Sequence, residues 1–183
     1  MQRPDVALPG VVLGVGLGGF VDGIVLHQVL QWHHLLSSRV RVDTVPGLKM
    51  NTLADGLFHV VTWLAVLIGL SLLYSRVTQA RGRLWGSRAL WGWVVLGWGL
   101  FNLVEGLLDH RLLGIHHVRS GVHQTAWDVG FLALGAALVA VGWLVQRGAE
   151  PGRRAAATGL TCTTRGRRRR TSARCCRSPS CWC

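Results

Sequence analysis

A chain of 183 residues that is 50% hydrophobic and only 15% charged is too apolar for an ordinary water-soluble domain. Its formal net charge of +12 suggests a polyanion partner, but nine of its 20 Lys and Arg residues crowd between Arg153 and Arg177. Without that stretch the chain is only mildly basic, so no nucleic-acid partner is expected.

Four segments reach the roughly 20 apolar residues that a bilayer crossing needs. They predict spans near 8–34, 53–74, 89–112 and 122–146. The expected fold is all-α, an integral membrane four-helix bundle whose surroundings are the lipid bilayer. A membrane-protein partner or homo-oligomer is compatible with such a fold. The first span begins after Arg3 and carries Gly10, Gly14 and Gly18, a small-xxx-small pattern that predicts close helix packing. Gly14, Gly16 and Gly19 also spell G-x-G-x-x-G, but no strand precedes them, so a nucleotide-binding reading fails. A loop containing Pro46 and Gly47 leads to the second span, and a basic loop over 75–88 leads to the third. A short His-rich loop over 113–121 precedes the fourth. Trp85, Trp91, Trp93 and Trp143 fall at one set of helix ends, with Trp32 and Trp127 at the other, as in the aromatic belts of membrane spans.

The domain organisation follows: a four-span domain over 1–147 and a basic, Cys-containing tail over 148–183. The tail has few large apolar residues and is expected to be disordered. Cys162, Cys175, Cys176, Cys181 and Cys183 show no zinc-ligand spacing.

With four spans, both termini share one side of the membrane with the 75–88 loop. That side carries Arg3, Arg76, Arg81, Arg83, Arg88 and Arg147 in addition to the tail. The other side carries Arg39, Arg41, Lys49, Arg111 and Arg119. The positive-inside rule then puts both termini in the cytoplasm.

Two stretches 83 residues apart share one pattern, acid-Gly-x-x-x-His-x-x-Leu-x-x-His-His: Asp22–His34 and Glu105–His117. The repeat predicts two equivalent helix hairpins, with Asp22 and Glu105 on opposite walls of one cavity. All the histidines then fall toward the outer face, together with the acids Asp22, Asp55, Glu105, Asp109 and Asp128. An ideal α-helix puts Asp22 and His33 on one stripe and His27 and His34 on another, and likewise for Glu105/His116 and His110/His117.

Carboxylates and imidazoles are costly at this depth unless paired, neutral or bound to a cation. Asp22, His27, His33, His34, Asp55, His59, Glu105, Asp109, His110, His116, His117, His123 and Asp128 are therefore candidate metal ligands. The donor set suits a divalent ion such as Zn, Fe, Mn or Cu(II). The ferritin-type Glu-x-x-His signature is absent. Other readings of the same residues stay open: a metal-dependent membrane oxidoreductase, a haem protein with axial histidines, a proton or ion transfer chain, or a structural acid–histidine network. The His-His pairs are equally readable as interfacial residues facing water.

Phe20-Val21-Asp22-Gly23, His27-Gln28, Trp32-His33-His34, Asp55-Gly56-Leu57-Phe58-His59, Gly97 to Asn102, Asp109-His110, Gly114-Ile115-His116-His117 and Trp127-Asp128 occur in order. Over about residues 8–146 the chain resembles the bacterial membrane-protein family catalogued as domain of unknown function 2243. The resemblance implies a small multi-pass inner-membrane protein and supplies no activity or catalytic residue.

Overall fold

The computed structural model describes residues 5–79, 85–119 and 121–148. The expected tail lies outside them from residue 149 onward. The described residues are helices joined by loops: α1 (Ala7–Val21), α2 (Val45–Gln79), α3 (Ser87–Glu105) and α4 (Gln124–Arg147). α1 runs on into a π-helical segment, Asp22–Val29, and α3 into another, Gly106–Leu112. With those extensions, each of the four helices is long and apolar enough to cross a membrane.

Local chemistry sets the ends. Asp5 Oδ1 accepts the Ala7 amide at 2.9 Å, and Thr44 Oγ1 accepts the Gly47 amide at 3.2 Å, each satisfying an orphan N–H of a first turn. Pro9 and Pro46 sit in first turns, where the missing N–H costs little. α2 therefore begins at Val45, well before the expected 53, and runs to Gln79. Its 35 residues span about 52 Å at about 1.5 Å per residue, more than the roughly 30 Å hydrocarbon core.

The first helix is shorter than expected. Its helical run ends at Val29 rather than 34. The Leu30 amide closes on the Val25 carbonyl at 2.8 Å, the Trp32 amide on that of Leu26 at 3.0 Å, and Gln31 takes φ +48°. His33 and His34 consequently lie in a loop. The third helix ends the same way: Leu113 closes on Leu108 at 2.7 Å, Ile115 on Asp109 at 3.1 Å, and Gly114 takes φ +56°.

α1 and α3 form the central pair and run parallel. Gly10, Gly14 and Gly18 face Trp93, Val94 and Trp98 in that order. A methyl on Gly14 would collide with the Val94 carbonyl, and one on Gly97 with the Val11 carbonyl. Small residues let the two backbones approach where lipid offers no hydrophobic drive for association. α2 packs antiparallel on α1, with Gly16 and Gly19 against Thr62 and Gly69 against Leu13. α4 packs antiparallel on α3, with Gly99 against Gly135 and Gly92 against Gln146. Among the described residues α2 and α4 do not touch. The first and third helices are thus direct neighbours, packed glycine face to backbone, rather than facing each other across a cavity. The outer surfaces of α2 and α4 carry Leu57, Val61, Leu64, Ile68, Leu134 and Leu144 exposed, as a lipid-facing surface requires.

Candidate metal centre

The central pair brings its two acids together. Asp22 and Glu105 begin the departures from α geometry, and both are buried. In an α-helix, residues five apart point about 140° away from each other. A π turn, with its i→i+5 hydrogen bonds, swings the fifth residue back onto the same side. Asp22 Oδ2 accordingly lies 3.2 Å from His27 Nε2, and Glu105 shares a ligand group with His110. Within each helix the acid therefore meets the histidine five residues on, Asp22–His27 and Glu105–His110. Of the stripes expected from sequence, Glu105 still meets His116, now in a loop, at 3.6 Å, whereas Asp22 and His33 share no group.

The loops deliver two more imidazoles. His33 Nδ1–H donates to the Val118 carbonyl at 2.8 Å, and His116 Nδ1–H donates to the Leu35 carbonyl at 3.2 Å. Ser38 N–H to the Ile115 carbonyl at 3.1 Å and Arg39 Nη2 to the Leu113 carbonyl at 2.6 Å lace the same loops together. A carbonyl can only accept, so Nδ1 carries the proton in both rings and Nε2 is left with its lone pair. Both Nε2 atoms are buried with no hydrogen-bond partner. Burial, reinforced by the neighbouring His27, holds the His33 imidazolium down to about 4. Burial, reinforced by His33, holds that of His116 down to about 2. Both rings are neutral at neutral pH, the form that donates to a cation.

Behind this layer stand two more buried carboxylates. Asp55, on α2, accepts His27 Nδ1–H at 2.9 Å, His34 Nδ1–H at 2.6 Å and the Leu35 amide at 2.8 Å. Asp128, on α4, accepts His117 Nδ1–H at 2.8 Å and the Val118 amide at 3.1 Å, with His110 Nδ1 at 3.8 Å. With its Nδ1 proton committed to Asp55, His27 turns Nε2 toward Asp22. The two atoms are buried 3.2 Å apart, and neither makes a hydrogen bond. His27 thus stands between two buried carboxylates, Asp22 and Asp55.

Three groups of potential ligand atoms lie within 4.8 Å of one another: His27–His33–His116, Glu105–His110–His116 and Asp22–His27–Glu105. Six of the candidates thus meet. His34, His117, Asp55 and Asp128 stand one step out, orienting the six or the loops between them. His59 donates Nδ1–H to the Asp55 carbonyl at 2.7 Å and lines a separate apolar recess with Phe20, Val60 and Trp63. Asp109 is half-buried and joins none of the groups. His123 is exposed at the start of α4 with φ +66°, remote from the cluster in role, because a left-handed residue there ends the loop.

Sequence reasoning passed over Asn51. It is fully buried, donates Nδ2–H to the Val40 and Gly47 carbonyls at 3.1 and 3.0 Å, and accepts the Leu36 amide at 3.2 Å. It fixes the loop that carries His33 and His34. The available signal was its spacing, four residues before Asp55 and eight before His59, on one face of α2.

A cavity of about 420 Å³ adjoins the cluster, lined among others by Val25, Trp98, Asn102, Phe131 and Leu134, with Asp22 as the one charged wall residue among the described residues. Trp32 and Trp127 also line it, their rings 5.1 Å apart, and the Arg119 guanidinium lies over both at 5.3 and 5.6 Å.

Four apolar helices around a buried histidine–carboxylate cluster define a membrane protein with a polar centre sunk between its helices. The chain belongs to the predicted membrane protein family DUF2243, whose family model matches residues 9–149. No curated protein and no solved structure matches it.

Proposed function

We propose that this protein binds divalent metal through Asp22, His27, His33, Glu105, His110 and His116. One observation carries the reading: the side-chain nitrogens and oxygens that these residues turn toward one another are buried and unpartnered, whereas the opposite Nδ1 edges of His27, His33 and His116 are hydrogen-bonded. Each unpartnered buried polar atom costs about 1–3 kcal/mol, so convergence of this many is stable when something fills the gap. The carboxylate behind His27 is the outer partner that metal-bound imidazoles usually have. Elemental analysis of detergent-purified protein, wild type beside Glu105→Ala, tests it. Stoichiometric metal in the wild type and its loss in the variant are expected. Metal-free wild type would leave an acid–imidazole network, with protons in place of the cation, as in the proton-transfer reading. Direct ring packing, with His33 and His116 stacked at 4.7 Å, argues against haem between them, and no Soret band is expected.

Repeated contacts support descent of the two hairpins from one duplicated unit. The 83-residue spacing of the motifs recurs in the closures Leu30–Val25 and Leu113–Leu108, and in the exchange of His33–Val118 for His116–Leu35. The arginine distribution favours cytoplasmic termini in a bacterial inner membrane, with the cluster toward the outer face. Reporter fusions at the C-terminus active on the outer side would reverse that orientation.

A second reading, a membrane metal-dependent oxidoreductase, draws on the cavity beside Asp22. Its size is within the range of small-molecule sites, and its apolar walls suit a lipophilic substrate arriving from the bilayer. Gly130 lines the cavity, and its Cβ position meets nothing within 4 Å. Gly130→Trp is expected to fill the space, keep the metal and displace any co-purifying lipophile detected by mass spectrometry. Equal lipophile content in variant and wild type would end this reading.

A further inference from the structure

Resting on the metal reading above, we propose that the centre is built for two ions: Asp22 and His27 hold one, His110 and His116 hold the other, and the Glu105 carboxylate bridges them. His33 lies between the two half-sites.

Reach gives the first argument. Metal–ligand bonds to nitrogen and oxygen are about 2.0–2.2 Å, so two ligands of one ion are at most about 4.4 Å apart. Among the described residues, the sets of mutually close ligand atoms, within 4.8 Å, hold three residues each. No set gathers all six, so one ion cannot engage them together without rearrangement. The sets Asp22–His27–Glu105 and Glu105–His110–His116 take five of the six and share only Glu105. Both Glu105 oxygens are buried without a partner, one lying 3.6 Å from His116 Nε2. His33 joins one residue of each set, His27 and His116.

Charge gives the second. Asp22, Asp55, Glu105 and Asp128 are all buried. Among the described residues, every ion-pair partner of these four is a histidine, and no Lys or Arg reaches them. One divalent ion would neutralise half of four carboxylates, and two would neutralise all. Uncompensated charge between membrane helices is expensive, so the carboxylate complement fits the larger number. The π turns supply the third argument, since each central helix presents its own acid–histidine pair five residues apart, one half-site per helix.

The full chain, stripped with chelator and reloaded with Mn²⁺, tests the proposal. Thiolates compete weakly for Mn²⁺, so the five cysteines do not confuse the count. Two Mn per chain and a spin-coupled electron paramagnetic resonance spectrum are expected, the ions about 3.5–4 Å apart. Asp22→Ala and His110→Ala should each fall from two to one and lose the coupling. One Mn per wild-type chain with an uncoupled spectrum would overturn the two-ion proposal and leave the metal reading standing. No bound Mn would overturn the two-ion proposal, and absence of every divalent metal from the protein before stripping would overturn the metal reading as well. The wild-type count decides the matter even where a variant does not fold.

Discussion

Replacing Asp55 separates its role as a hydrogen-bond hub from its role as a charge. Oδ1 accepts from both His27 Nδ1 and the Leu35 amide, and Oδ2 accepts from His34 Nδ1. Asp55→Ala orphans all three donors. His34 is 17% exposed and can turn to water, whereas His27 is fully buried. Two orphaned donors at about 1–3 kcal/mol each give a loss of about 2–6 kcal/mol. Asp55→Asn keeps an acceptor oxygen for His27 and Leu35, and its amide nitrogen can donate to a His34 ring that shifts its proton to Nε2. The remaining cost is the exchange of charged for neutral hydrogen bonds, about 1–2 kcal/mol. Metal affinity should nevertheless fall about 10–100-fold in Asp55→Asn, the usual effect of altering an outer partner. Denaturant unfolding in detergent and metal titration read the two effects separately. Asp128→Ala supplies an internal scale, because its oxygens hold one imidazole and one amide at hydrogen-bond distance and it should cost less than Asp55→Ala. Equal destabilisation by Asn and Ala at position 55, or a larger cost at Asp128, would refute this account of the hub.

Other substitutions probe the frame. Gly14→Ala meets the Val94 backbone rather than a side chain that can move, and should cost about 1–3 kcal/mol by overpacking; Gly56→Ala, with nothing within 4 Å, should be neutral in the same melt. Gln31→Gly relieves a left-handed residue at φ +48° and should raise stability by about 1 kcal/mol, seen as a higher Tm. Removing residues 149–183 should leave metal content unchanged by elemental analysis, because the six converging side chains all lie between Asp22 and His116.

The spans were legible because twenty-odd apolar residues have few other uses, and Gly10, Gly14 and Gly18 announced a close helix contact. The acids Asp22 and Glu105 were legible through their cost in lipid. What the sequence hid was the backbone around them. A 3.6-residue period carried through Gln31 assigned His33 to a helix, and nothing in the composition of Asp22–Val29 announces a π turn. That local change decides which histidine meets which acid. Asn51 was passed over because a polar residue near an expected helix start reads as solvent-facing, and only the loop folding back over α2 buries it. The order of helices was also beyond the pattern, since a repeat fixes equivalence and not adjacency.

The reciprocal grip of His33 on Val118 and His116 on Leu35 bears on how the molecule is made. A nascent first hairpin already has Asp55 to hold His27, but its His33 has no carbonyl to meet until residue 118 has been synthesised. The second hairpin needs Leu35 in turn. Neither half can be proofread as finished by its own contacts. The polar centre is therefore complete only when both helix pairs are present, and a chain that stops between them leaves His33 without its carbonyl partner.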